Sequence, residues 1–145
     1  MPSRAEKILS VSAVHKAYRR PALFGARFLP ALRGVSFDLY RGEIAGLLGL
    51  NGAGKTTIMK LITGLLFPDS GSVSLFGLPP SAMAAKRRIG FLPELPYFYP
   101  HFTAAEALSY YAGLSGISGA PARARLDFVM GKVGLLPHAG KKAAE

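Results

Sequence analysis

The 145-residue chain contains no cysteine, which excludes disulfide staples and thiolate metal sites. Its three histidines, His15, His101 and His138, are scattered without ligand spacing, and each reads as a surface residue. No apolar run reaches the roughly eighteen residues that a membrane-spanning helix needs. The uncharged stretch over residues 107–122, unsurpassed in length, is broken by serine and glycine. The basic start, residues 1–18, does not read as a signal peptide, because Ile8, Ser10 and Ser12 alternate with Leu9, Val11 and Ala13 as in a strand. Acidic residues are few, 8 against 18 Lys and Arg, for a formal charge of +10. Such an excess raises nucleic acid or an anionic membrane as partner. The bases come in small groups such as Arg19-Arg20, Lys86-Arg87-Arg88 and Lys141-Lys142, without an RNA-recognition, zinc-finger or basic-zipper pattern. Solvated faces beside a phosphate ligand and an anionic leaflet account for them, and no direct nucleic-acid binding is expected.

What is present is one domain's worth of chain, half of it hydrophobic, enough to bury an α/β core. Its organising stretch is Gly49-Leu50-Asn51-Gly52-Ala53-Gly54-Lys55-Thr56-Thr57, which fits the phosphate-binding loop G-x-x-x-x-G-K-[ST]. The apolar run Glu43–Leu48 ahead of it predicts a buried parallel strand. Ile58, Leu61, Ile62 and Leu65 behind it predict a helix. Gly49, Gly52 and Gly54 let the backbone, with Asn51 and Ala53, curl around an anion. Successive N–H groups and the positive end of the helix then face the phosphates. Lys55 would reach the β- and γ-phosphates, Thr56 would hold Mg²⁺ and Thr57 would donate to the α-phosphate. A plain glycine-rich turn is the competing reading, and the flanking strand and helix argue against it.

Residues 8–14 read as an opening strand, with Tyr18 after it and a loop running from Arg19 to about Pro30. Val35, Phe37 and Leu39 share one face of a second strand over 34–39, so the two strands form a hairpin-like antiparallel pair. Gly64 is expected to cap the helix, Pro68-Asp69-Ser70-Gly71 to turn, and residues 72–76 to form a half-exposed strand. A short helix over 82–86 and a strand over 88–92 follow. Thr103-Ala104-Ala105-Glu106 is a capping box that starts a helix at Ala104. A further helix begins near Pro121, burying Leu126, Val129, Met130 and Val133 and closing at Gly134.

With those residues in view, the chain resembles the ATP-binding subunit of an ABC transporter, of the kind found in bacterial export systems. Residues 8–18 resemble the family's opening strand, 31–37 its second strand and 49–57 its Walker A motif. The resemblance implies an α/β P-loop NTPase fold of the ABC type: an antiparallel β subdomain, the Walker A strand, loop and helix, and the start of a helical subdomain, divided at about residue 102. It implies ATP and Mg²⁺ as ligands, with Tyr18 as the aromatic that stacks on adenine. Residues 89–94 resemble the strand entering the Q-loop, where Glu94 stands in place of glutamine. A carboxylate approaches Mg²⁺ through oxygen. Ionised Glu94 cannot donate a hydrogen bond, and an ordinary exposed glutamate is the other reading. The aromatic segment 96–102 is either a loop packed on its own core or the surface that receives a membrane subunit.

The implied partners are a transmembrane permease and a second ATP-binding subunit, with the protein at the inner face of the membrane. Leu114-Ser115-Gly116 is not the family's signature motif, because it lies between the two helices and lacks the remaining Gly-Gln. No apolar run ends in Asp-Glu, so the Walker B strand is missing, as are the signature and the switch histidine. Phosphoryl transfer needs positioned water, metal and compensating charge together. The 145 residues are therefore expected to cover the first half to two-thirds of such a domain, to bind ATP, and not to hydrolyse it alone. An apolar edge near Leu47 is expected to lie exposed. A P-loop GTPase would need Asn-Lys-x-Asp and Asp-x-x-Gly, and neither occurs. A small-molecule kinase fits Tyr18 and residues 89–94 poorly. The alternative outside enzymology is a nucleotide-binding or interaction module that docks a membrane protein without turnover.

Overall fold

Alternating apolar residues from Lys7 onward build a long antiparallel hairpin, β1 (Lys7–Pro21) and β2 (Ala26–Tyr40). The computed structural model describes residues 5–22, 25–94 and 97–142. These fall into two units, residues 1–91 and 92–145. In the first, β3 (Ser70–Leu75) adds to the other side of β1, giving the antiparallel order β2-β1-β3. A bulge in β1 places Ala13 at φ 46° and shifts the alternation, so that Leu9, Val11 and Val14 all point into the core. Ser36 Oγ accepts the Ala13 N–H at 2.8 Å.

The helix α1 (Lys55–Ile62) lays Ile58 and Leu61, 2% and 1% exposed, onto this sheet. Burying a side chain of this size contributes about 1.5–3 kcal/mol. Gly64, at φ 68°, ends α1 as expected: its N–H donates to Leu61 O at 3.1 Å and that of Leu65 to Lys60 O at 2.9 Å. The chain reverses there, so Leu65 lies exposed and Leu66 packs on the core in its place. The short helix α2 (Met83–Lys86) completes the unit with buried Ala85.

Three expectations are corrected. The expected loop 19–30 is mostly strand: β1 runs on to Pro21 and pairs residue by residue with β2 from Ala26. Residues 23–24 lie outside the described part. Pro30 fits because β2 is an edge strand, where a missing N–H costs nothing. Residues 43–48 and 88–92 adopt no strand. A parallel strand draws every ladder bond from neighbours, and among the described residues none lies beside either segment. Ile44 and Leu48 are accordingly fully exposed and Leu47 partly so, the bare apolar segment expected near Leu47.

In the second unit, α3 (Ala104–Leu114) begins with the expected capping box. Thr103 Oγ1 accepts the Glu106 N–H at 3.2 Å, and Glu106 accepts the Thr103 N–H at 2.8 Å. The helix α4 (Gly119–Lys132) starts two residues before Pro121. It buries Ala122 and Met130, while Val129 and Val133, expected inside, are exposed. Gly134 at φ 71° closes α4, with Leu135 N–H donating to Met130 O at 2.8 Å. A single turn over Leu136–His138 follows.

Candidate functional site

The loop between Gly49 and α1 owes its shape to two left-handed glycines. Gly52 has φ 86° and Gly54 has φ 91°, a region that side chains resist. Gly54 is constrained twice over, because a Cβ there would lie 2.6 Å from Ala31 O and 2.8 Å from Leu32 Cδ2 of β2. A Cβ on Gly52 would meet nothing within 4 Å. Ala53 N–H donates to Leu50 O at 3.1 Å and closes the turn.

Gly54 is also the N-cap of α1, so no side chain caps that end, and the first turn holds no acidic residue. The first helical bond is Ile58 N–H to Gly54 O at 2.9 Å. The N–H groups of Lys55, Thr56 and Thr57 precede it, and helix geometry gives them no partner within the helix. Lys55 folds back over the loop, its Nζ donating to Gly49 O at 2.6 Å and Leu50 O at 2.8 Å. The donor set is thus an ammonium, unpaired amides and the positive end of a helix, with no carboxylate from 49 to 57. That chemistry fits an anion and fits phosphate in particular.

Asn51 and Thr56 are exposed on this loop and helix start, whereas Thr57 is buried. The Thr57 hydroxyl lies 3.2 Å from the Tyr18 hydroxyl, which joins the hairpin to the loop's helix. Sequence reasoning placed both residues at one ligand but missed this direct contact. It also missed Asp69, whose Oδ2 accepts the Ala17 N–H at 2.7 Å and whose Oδ1 meets Lys16 Nζ at 2.6 Å. Those bonds hold the strand immediately before Tyr18, and the Lys16 ammonium, then the Ala17 amide, keep the Asp69 carboxyl below its ordinary value. The signal available was an aspartate in a Pro-Asp-Ser-Gly turn, a residue type that commonly bonds nearby backbone.

Glu94 is exposed at a bend of the second unit. In that unit, the Tyr99 and Phe102 rings pack on Tyr110 of α3, with centroids 5.9 and 5.8 Å away, while Tyr97 remains mostly exposed. Pro96 lies outside the described residues. His15, His101 and His138 are all exposed, and among the described residues no cluster of His, Asp and Glu suits a metal ion.

A family model described as ABC transporter matches residues 32–145. The chain belongs to that family. An ABC transporter ATP-binding protein of Nostoc sp., itself uncharacterized, is 38% identical over 128 residues, covering 88% of this chain and 38% of its own length. The Nod factor export ATP-binding protein I of Burkholderia thailandensis is 45% identical over 93 residues, 63% of this chain and 31% of its own. A solved ATP-binding subunit of an ABC transporter superposes with a TM-score of 0.76 at 30% identity, over 95% of this chain and 55% of that one. The chain thus spans well under two-thirds of each of these proteins, and its fold is that of the ABC ATP-binding, P-loop type. Among the described residues no helix is long and apolar enough to cross a membrane.

Proposed function

We propose that this ABC family chain is the ATP-binding part of a transporter's energy-coupling subunit. In the whole protein it would couple ATP binding and hydrolysis to transport through a membrane permease. The carrying observation is the Gly49–Thr57 arrangement, in which two left-handed glycines, unpaired helix-start amides and a loop-spanning ammonium converge. Backbone amides of Gly49, Asn51, Gly52 and Gly54 cradle the phosphates, and that of Ala53 joins them by leaving Leu50 O. Lys55 exchanges its two carbonyl partners for phosphate oxygens, an exchange of neutral acceptors for charged ones. Thr56 offers an exposed hydroxyl to Mg²⁺. For Glu94, in the second unit, a role toward Mg²⁺ rests on its resemblance to the Q-loop position alone. Mg²⁺, when bound, neutralises phosphate charge. Thr57 donates to the α-phosphate, and Tyr18 offers its ring to adenine.

In this reading a second ATP-binding subunit completes the assembly, and the protein sits peripherally at the cytoplasmic face through its permease. The 145 residues by themselves bind ATP without turning it over. Titrating the chain and its Lys55→Ala variant with ATP, and following phosphate release from both, tests this. A binding loss of about 10- to 100-fold in the variant is expected, the worth of a hydrogen bond to a charged group. Equal affinities would refute the loop's role. Turnover by the wild-type chain, lost in the variant, would refute binding without turnover.

A further inference from the structure

The far end of the β1–β2 hairpin carries arginines on both of its faces. Its ladder there runs Tyr18↔Leu29, Arg19↔Phe28, Arg20↔Arg27 and Pro21↔Ala26 without a register shift. Residues directly opposite in an antiparallel pair share a face, and successive pairs alternate faces. Arg20 and Arg27 therefore share one face, and Arg19 shares the other with Phe28, which is 65% exposed. All three arginines are exposed, and among the described residues the three ion pairs, Lys7–Asp38, Lys16–Asp69 and Arg41–Glu6, reach none of them. Like charges directly opposite on a ladder are unfavourable. Nothing described at this end offsets the Arg20–Arg27 pair.

From this we infer that the hairpin end is a contact for an anionic lipid surface, separate from the phosphate loop. Charge on one face alone would suit a ligand lying in a groove. Charge on both faces of a ribbon's end suits a plane met end-on. Planar guanidinium forks match lipid phosphates, and an exposed aromatic among them suits the headgroup boundary. Single-stranded nucleic acid is the weaker match, because it is held in a groove lined with stacking rings, and this end has Phe28 as its one described aromatic beyond Tyr18.

The test is co-sedimentation of the full chain with vesicles of phosphatidylcholine alone and of phosphatidylcholine with 30% phosphatidylglycerol. It compares wild type, the triple variant Arg19→Gln/Arg20→Gln/Arg27→Gln, and the charge-matched variant Lys60→Gln/Lys86→Gln/Arg87→Gln. Thermal unfolding of each confirms that it is folded. Each basic residue near an anionic surface is worth about 1 kcal/mol, so the hairpin variant should lose on the order of 100-fold in partitioning to the anionic vesicles. The charge-matched variant should lose little. Equal losses in both would show general charge attraction and overturn the proposal. So would undiminished binding by the hairpin variant, or hairpin-dependent binding of a labelled oligonucleotide with no vesicle binding.

Discussion

The hydroxyl of Tyr18, on the hairpin, lies 3.2 Å from that of Thr57, on the helix that follows the phosphate loop. One contact thus ties the residue assigned to the base to a residue assigned to the phosphates. The two hydroxyls are not needed for the same task. In the proposed function the ring would stack on the base, and the hydroxyl would position it.

Tyr18→Ala should weaken ATP binding by about 10- to 100-fold, the 1–3 kcal/mol that a base–aromatic stack supplies, and leave inorganic tripolyphosphate unaffected. Tyr18→Phe keeps the ring and should stay within a few-fold of wild type. Parallel titrations with the two ligands check this. A loss in Tyr18→Ala that is equal for both would mean that the residue acts through the loop instead of the base.

Gly54→Ala should be far more damaging than Gly52→Ala. Both positions have φ near 90°, but only at Gly54 would the new Cβ meet a backbone carbonyl, Ala31 O, at 2.6 Å. Backbone strain alone costs about 1–2 kcal/mol, and the overlap with β2 adds roughly 1–3 kcal/mol. Chemical denaturation of the two variants should rank them in that order.

Asp69 gives the fold a dependence on acid. Hydrogen bonding by Lys16, then by the Ala17 amide, lowers its carboxyl below the ordinary 3.8. A carboxyl depressed in the folded state contributes stability that is fully present above the unfolded value and lost as pH falls through the folded one. The gap in stability between wild type and Asp69→Asn should therefore hold steady from pH 7 to pH 5 and shrink below about 3.8. Urea denaturation across that range measures it, and a gap independent of pH would contradict the latch.

Thr103→Ala removes the acceptor for the Glu106 N–H at the start of α3. It should cost about 1 kcal/mol, with the loss confined to the second unit. Hydrogen exchange of the α3 amides is the suitable readout, with faster exchange expected in the first turn.

The local signals in the sequence were reliable where local chemistry settles the outcome. The Thr103–Glu106 box, Gly64, Gly134 and the helix after Lys55 all appear where their residues place them, because each depends on bonds within a few residues. Residues 43–48 read as a buried strand from composition, yet a strand is defined by its neighbours, and none of the described residues supplies one. The hairpin end failed for the opposite reason. Arg19-Arg20-Pro21 and Pro30 look like a loop, but pairing between the strands and an edge position for Pro30 override that look. At the site, the left-handed turn at Gly52 and Gly54 and the helix after Lys55 were legible, while the strand expected ahead of the loop, part of the reason for reading a phosphate loop, did not form. The Asp69 latch lies 52 residues from the Ala17 amide it holds and was not legible.

If backbone amides around Gly52–Thr56 enclose a nucleotide's phosphates, titration with ATP and Mg²⁺ followed by amide NMR should shift Gly52, Gly54, Lys55 and Thr56 the most. Inorganic tripolyphosphate should reproduce those shifts. Shifts centred elsewhere, with those four amides unmoved at saturation, would contradict the enclosure.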